Sequence, residues 1–384
     1  MNNPLIVIGS GLAAYTLARD WRKLDTATPL VIISRDHAGF YSKPMLSNAL
    51  GANKSVQQLL LKPAEVMASE LDARIIAQTE VLAIDAAQRT ITLSHGETLE
   101  YRDLVLALGA DPIRLNLAGN ASDQVISVND LDDFGHFLTA LDGVPPAGSV
   151  AILGGGLIGC EFANDLLARG IKPVVIDPAA SPLSRLLPAR AGEYLAERLG
   201  AAGVDFRLGV SASSVDTLEQ GYVVTLSDGS VIAADLVLSA VGLRPRTALA
   251  SAAGLQCQRG IVLDAQLQSR VEHVYAIGDC AEIEGQILPF ILPILHQARV
   301  LAQSLFGTKA TLKYPVMPVV VKTPACPTVV LTPAAAVQGE WQFEMIDDGM
   351  VAQFVDAAGV LQGFALLGAA THLRQSLLTR LAAA

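Results

Sequence analysis

The chain has 384 residues, of which 51% are hydrophobic and 17% charged, with 32 glycines spread along it. That length exceeds one ordinary core and that composition excludes a disordered or low-complexity protein, so two or three globular domains are expected. The 27 Lys+Arg against 37 Asp+Glu leave a formal charge of -10, which disfavours a phosphate-backbone surface and hence a nucleic-acid partner.

In chain order, the apolar opening has no Lys or Arg before Arg19 and two interrupting glycines, so it reads poorly as a secretory signal. Leu5-Ile6-Val7-Ile8 is a continuous strand-like run. It ends in Gly9-Ser10-Gly11-Leu12-Ala13-Ala14, and a helical pattern follows to about Leu24. Leu30-Val31-Ile32-Ile33 then closes a βαβ unit, which requires a right-handed crossover and a parallel sheet. Thr90-Ile91-Thr92-Leu93 with the His95-Gly96 turn reads as part of a β-meander. The run from Leu104 through Gly109, trailed by Pro112, reads as a return point between domains.

The same pattern then recurs. Val150-Ala151-Ile152-Leu153 leads into Gly154-Gly155-Gly156-Leu157-Ile158-Gly159, a helix runs to about Ala168, and Pro173-Val174-Val175-Ile176-Asp177 closes the second unit. A second meander follows around Val223-Val224-Thr225-Leu226, and the run from Leu236 through Gly242, trailed by Pro245, is the second return point. The run from Ile287 to Leu295 contains Pro289 and Pro293 and is too short to span a bilayer, so no membrane insertion is expected. From about residue 319, Val319-Val320-Val321-Lys322 opens a small α+β domain.

In a GxGxxG turn the first glycine permits the sharp bend, the second admits a pyrophosphate to the backbone, and the third lets helix and strand pack closely. The phosphate then meets the positive end of the helix dipole. Gly9, Gly11 and Ala14 fit the variant ending in alanine, and Gly154, Gly156 and Gly159 fit the full form. A single match is weak, but two matches in strand-turn-helix context predict two nucleotide sites. An acid about 20 residues beyond the turn accepts from the adenosine ribose, and Asp177 stands there in the second unit. A carboxylate at that place repels a 2′-phosphate, and no arginine follows before Arg185, which favours NADH over NADPH. The first unit carries Ser34-Arg35-Asp36 instead, with no acid at the strand end itself and with Arg35 placed to lie over an adenine.

Tyr275-Ala276-Ile277-Gly278-Asp279 resembles the second FAD fingerprint of the pyridine nucleotide-disulfide oxidoreductase superfamily. Tyr41-Ser42-Lys43-Pro44-Met45-Leu46-Ser47 resembles the basic-x-Pro-Leu-Ser segment of its ferredoxin-reductase-type members. With Gly159-Cys160-Glu161-Phe162-Ala163-Asn164-Asp165 and Val321-Lys322-Thr323-Pro324-Ala325-Cys326-Pro327, the whole chain is similar to the bacterial rubredoxin-NAD reductases. It departs from their pattern at Leu108, where the return motif usually carries threonine, and at the first unit's missing acid.

The resemblance implies an α/β fold of two nested Rossmann-like dinucleotide-binding domains, the glutathione-reductase-like FAD/NAD arrangement, plus a small C-terminal α+β domain. It implies an FAD-binding domain over residues 1–113 and 243–318, an NADH-binding domain over 114–242 and a C-terminal domain over 319–384. The cofactors it implies are FAD and NADH. The FAD contacts would be Gly9, Gly11, Leu12, Ala13, Ala14, Arg35, Asp36, Lys43, Pro44, Val81, Gly109, Asp279 and Lys322. Those for NADH would be Gly156, Leu157, Ile158, Gly159, Asp177 and Gly242.

Superfamily members that relay electrons through sulfur need two cysteines after the first βαβ unit, or one near Leu46-Ser47-Asn48. This chain has no cysteine before Cys160, and its four cysteines, with no CxxC, read as packing residues in a reducing cytoplasm. Direct transfer remains: hydride from NADH to the flavin, then single electrons to rubredoxin, or to a ferredoxin of an oxygenase system. A nucleotide-binding protein serving interaction or signalling is the rival of a different class, and alkane degradation and oxygen detoxification are both open as pathways. Glu161, Lys43 and Lys322 are the candidate catalytic residues. Glu161 stands either beside the nicotinamide, paired with Lys43, or on the helix surface. The ammonium of Lys322 follows an apolar run and needs a partner, for which the flavin's pyrimidine edge is the candidate. No role falls to His296 or His372, and a monomer is favoured.

Overall fold

A computed structural model describes residues 3–382. The chain divides into two compact units, one made of the segments through Lys43, Gln57–Asp111 and Leu243–Pro315, the other of Pro44–Val56, Pro112–Gly242 and the residues from Val316 onward.

The first unit is built on a five-stranded parallel sheet in the order Val274–Ala276, Asp103–Leu106, Leu5–Ile8, Leu30–Ile33 and Ala73–Ile76. Leu5–Ile8 and Leu30–Ile33 are buried throughout, as runs of apolar residues on a strand covered on both faces must be. The chain leaves Leu5–Ile8 through the helix Leu12–Arg22 toward one side of the sheet and later returns to its other side. The order therefore reverses beside Leu5–Ile8, and such a switch point opens a crevice at the carboxyl ends of the strands. The antiparallel strands Val81–Asp85, Thr90–Leu93 and Thr98–Glu100 form the expected meander.

The second unit repeats the design, with Ile126–Ser127, Leu236–Ser239, Ser149–Leu153, Lys172–Asp177 and Asp205–Leu208 in one parallel sheet. Its switch point lies between Ser149–Leu153 and Leu236–Ser239. It also holds the meander Ala212–Thr217, Tyr222–Leu226 and Val231–Ala234, and a five-stranded antiparallel sheet of Val319–Val321, Thr328–Leu331, Leu361–Gly368, Gly349–Asp356 and Gly339–Ile346. The helix Arg374–Ala382 follows that sheet. The apolar stretch around Pro289 and Pro293 runs into the helix Ile291–Leu305, and among the described residues no helix is long and apolar enough to cross a membrane.

Candidate functional site

Each unit carries one glycine elbow at its switch point, and each glycine has a distinct physical task. Gly9 and Gly154 have φ of 120° and 108°, and an added Cβ would lie 2.2 Å from the Ala107 carbonyl oxygen and 2.7 Å from that of Ala240. These two positions therefore exclude any side chain. At Gly159 an added Cβ would lie 1.9 Å from the Gly154 oxygen, so close helix packing demands glycine; the first elbow has the fully buried Ala14 in the corresponding place. Gly11 and Gly156 differ, since an added Cβ would meet nothing within 4 Å and both residues are exposed.

Gly11 and Gly156 are also the N-caps of the helices Leu12–Arg22 and Leu157–Leu167, and neither helix receives a side-chain cap. Two helix starts thus present unpaired N–H groups and open space at the same place, which is what a pyrophosphate requires. Leu12 and Leu157 follow as half-buried residues, Ala13 is buried, and Ile158 is 41% exposed. The residues fit a dinucleotide at each elbow.

The two acids differ in construction. Asp177 ends its strand, accepting at Oδ2 from the Gly155 N–H at 2.6 Å and at Oδ1 from the Ala179 N–H at 2.8 Å. In the first unit Asp36 lies beyond the strand end, and its Oδ1 accepts from Ser34 Oγ at 2.6 Å and the Ala38 N–H at 2.8 Å. Burial pushes the Asp36 carboxyl up, but hydrogen bonds from Ser34, Ala38 and Ser10 outweigh it and hold the group below the usual carboxylate value. Arg35 is exposed, and its Nη2 lies 3.5 Å from Asp111 Oδ1.

Elsewhere in the first unit Asp279 follows Gly278, whose φ is 80°. The Gly278 N–H donates to Oε1 of the buried Gln297 at 2.7 Å, and Gln297 Nε2 donates to the Tyr314 hydroxyl at 2.8 Å. Burial pushes the Asp279 carboxyl up, while the charges of Lys43 and Arg246 pull it down. Val81 is buried at the start of its strand, and Gly109 makes a left-handed turn beside Arg246, whose Nη1 donates to the Leu108 carbonyl at 2.9 Å. In the second unit Gly242, with φ of 113°, accepts at its carbonyl from the Ile113 N–H.

The second unit gathers Glu161 and Lys322 into one cluster. Glu161 is 0% exposed in the nucleotide helix, and its Oε2 lies 3.0 Å from Lys322 Nζ. Ser47 Oγ donates to the same oxygen, and the Lys322 backbone N–H donates to Oε1 at 2.9 Å. The ammonium of Lys322 also donates to the Pro44 carbonyl and, at 3.2 Å, to Ser47 Oγ. Three acceptors thus meet its three protons. Of the two placements open from sequence, the helix surface is excluded for Glu161, which is buried and paired with Lys322, while the chain also supplies acceptors to the Lys322 ammonium. The reason is desolvation, because a carboxylate so deeply buried must be paired within hydrogen-bonding distance.

Two further residues of the same helix face were not singled out from sequence. Asn164 Oδ1 accepts from the Ala325 N–H at 2.9 Å, and Asp165 accepts from the Leu50 N–H at 2.7 Å and the Gly51 N–H at 2.8 Å. Asn48 Nδ2 closes the group by donating to the Lys322 carbonyl at 3.1 Å. The available signal was Glu161, Asn164 and Asp165 at i, i+3 and i+4 in an otherwise apolar helix, a polar stripe that needs partners when buried. Burial pushes the Asp165 carboxyl up, against those two backbone hydrogen bonds and the charge of Lys322.

The four cysteines are free, and burial pushes the thiols of Cys160 and Cys280 up to about 12, far from a reactive thiolate. Among the described residues no group of His, Cys, Asp and Glu could hold a metal ion.

Residues 3–300 match the model of the pyridine nucleotide-disulphide oxidoreductase family, and residues 311–381 match that of a rubredoxin binding C-terminal domain. The chain is 44% identical over 384 residues to a rubredoxin-NAD(+) reductase of Acinetobacter baylyi, covering 99% of this chain and 98% of that one. It is 37% identical over 373 residues to a nitric oxide reductase FlRd-NAD(+) reductase of Aeromonas hydrophila, covering 96% of this chain and 94% of that one. Among solved structures it is similar, with a TM-score of 0.87 and 27% identity, to the ferredoxin reductase for the CYP199A2 system of Rhodopseudomonas palustris, over 97% of this chain and 93% of that one.

Proposed function

The chain belongs to the pyridine nucleotide-disulphide oxidoreductase family, on its rubredoxin-NAD(+) reductase branch, and from that premise we infer an FAD-dependent reductase that carries electrons from NADH to rubredoxin. One observation carries the reading: the family's nucleotide-binding region and an acceptor-binding domain match successive parts of a single chain, residues 3–300 and 311–381.

When bound, FAD supplies the conversion of a hydride into electrons released singly, which side chains cannot perform. The protein's own part is to grip, orient and discriminate. We assign the FAD pyrophosphate to the elbow Gly9 to Ala14 and the NADH pyrophosphate to Gly156 to Gly159, where open helix starts face open space. Asp177 is the proposed ribose acceptor for NADH. Both its oxygens are fixed by backbone N–H groups, so a 2′-phosphate would meet a carboxylate that cannot swing away. Asp36, Arg35, Lys43, Pro44, Val81, Gly109 and Asp279 are assigned to FAD and Gly242 to NADH. Lys43, Glu161 and Lys322 are the proposed catalytic residues.

The proposed division is an FAD-binding domain of residues 1–113 and 243–318, an NADH-binding domain of 114–242 and an acceptor domain of 319–384. A monomer in the cytoplasm is the proposed setting. Anaerobic titration of the flavin spectrum with NADH, followed by mixing with oxidised rubredoxin or ferredoxin, tests the reading. Full bleaching by one equivalent of NADH and rapid reoxidation by rubredoxin support it. A flavin that NADH leaves oxidised, or that only ferredoxin reoxidises, overturns it.

A further inference from the structure

The first elbow has no acid at its strand end, where Ser34 stands, yet the structure rebuilds the second elbow's arrangement from different parts. At the second elbow the carboxylate of Asp177 is held by two groups: the N–H of the residue between the first two glycines, Gly155, and the N–H two positions beyond the acid, Ala179. At the first elbow Asp36 likewise accepts from the N–H two positions beyond it, that of Ala38. Its tie to the elbow is indirect. Ser10, the residue between Gly9 and Gly11, lies 2.7 Å from Ser34 Oγ and 3.1 Å from Asp36 Oδ1, and Ser34 Oγ lies 2.6 Å from that same oxygen.

Each hydroxyl has one proton to give, so the two shortest distances define a chain: Ser10 donates to Ser34, and Ser34 donates to Asp36. Both serines are buried, 7% and 5% exposed, so water does not compete for these bonds. The loop carrying Asp36 is pinned again by the buried Tyr15, whose hydroxyl donates to the Ala38 carbonyl. The contacts from Ser10, Ser34 and Ala38 all converge on Oδ1.

We propose that Ser10 and Ser34 are positioning residues that hold Asp36 as the ribose acceptor of the first elbow, with Oδ2 turned to the vicinal hydroxyls of the adenosine ribose of FAD. This rests on the assignment of FAD to that elbow. The chain thereby replaces a strand-end acid by a serine relay to an acid two residues later. Hydrogen bonds from Ser34 and Ala38 keep the carboxylate ionised through the neutral range, as an acceptor of hydroxyl protons must be.

The test is equilibrium binding of flavin to the apoprotein, read by flavin fluorescence, with FAD and with an FAD analogue lacking both adenosine ribose hydroxyls. Wild type, Asp36→Asn, Ser34→Ala, Ser10→Ala and Ser34→Thr are compared. The proposal expects wild type to prefer FAD over the analogue by about tenfold or more, the scale of one hydrogen bond to a charged group. Asp36→Asn and Ser34→Ala should shrink that preference toward one, Ser10→Ala should shrink it less, and Ser34→Thr, which keeps a hydroxyl, should restore it. Equal weakening of both ligands would mean a merely structural role and overturns the proposal, as does a preference unchanged by Ser34→Ala. A wild-type protein that binds neither flavin sinks the FAD assignment itself, whereas one that binds both equally sinks only the ribose contact.

Discussion

Removing the lysine and removing the glutamate of the Glu161–Lys322 pair should have very unequal consequences. Lys322→Met leaves the Glu161 carboxylate in a site of 0% exposure with only Ser47 and one backbone N–H to stabilise it. Breaking a buried pair from the side that strands the buried charge costs about 3–5 kcal/mol. The Lys322 side chain is 36% exposed, which screens the pair and sets the expectation near the low end, about 3 kcal/mol. Glu161→Gln strands the other partner, but that ammonium keeps the Pro44 carbonyl, Ser47 and access to water, so about 1 kcal/mol is expected. The double variant should lie within about 1 kcal/mol of Glu161→Gln, because it removes the stranded charge. Urea unfolding followed by circular dichroism, at one fixed FAD concentration, measures all three through the midpoint at constant slope. Equal costs for the two single variants, or a Lys322→Met cost below about 1 kcal/mol, would refute the reasoning.

The elbows predict a contrast between two alanine substitutions: Gly156→Ala, with open space and φ of -74°, should fold normally but raise KM for NADH about tenfold or more. Gly159→Ala would drive a methyl to 1.9 Å from the Gly154 oxygen and should lower the thermal midpoint or abolish soluble expression. Comparable folding defects in the two would sink this division of tasks. Iodoacetamide at neutral pH should leave NADH-dependent rubredoxin reduction intact, since the Cys160 and Cys280 thiols are buried and pushed up to about 12; time-dependent loss of activity that NADH prevents would contradict it. Docking an acidic rubredoxin on a chain of net charge -10 requires a local Lys/Arg patch, so kcat/KM for the acceptor should fall with ionic strength while flavin reduction by NADH stays nearly constant; equal salt dependence of both steps in stopped flow would count against such a patch.

Asp177 and Asp36 mark the boundary between what is local and what is not. Asp177 was legible because it ends a strand at a fixed spacing from its elbow, and the bond to Gly155 is made within one βαβ unit. Asp36 was legible as a residue but not as a counterpart of Asp177, because its link to the elbow runs through Ser34 and Ser10, whose rotamers no spacing rule predicts. Glu161 and Lys322 were each singled out, and their companions Asn164, Asp165 and Ser47 acquire meaning only from groups far along the chain.

The sequence by itself determined the two elbows, the parallel sheets that carry them, the preference for NADH and the lack of a cysteine relay. Each is written in short segments, where steric demands on glycine and the apolar periodicity of strands leave few alternatives. Only the tertiary structure decided which charge meets which. Ser47, Glu161 and Lys322 come together only when the chain returns to the same helix, and a carboxylate shut away from water then binds the nearest cation the fold delivers.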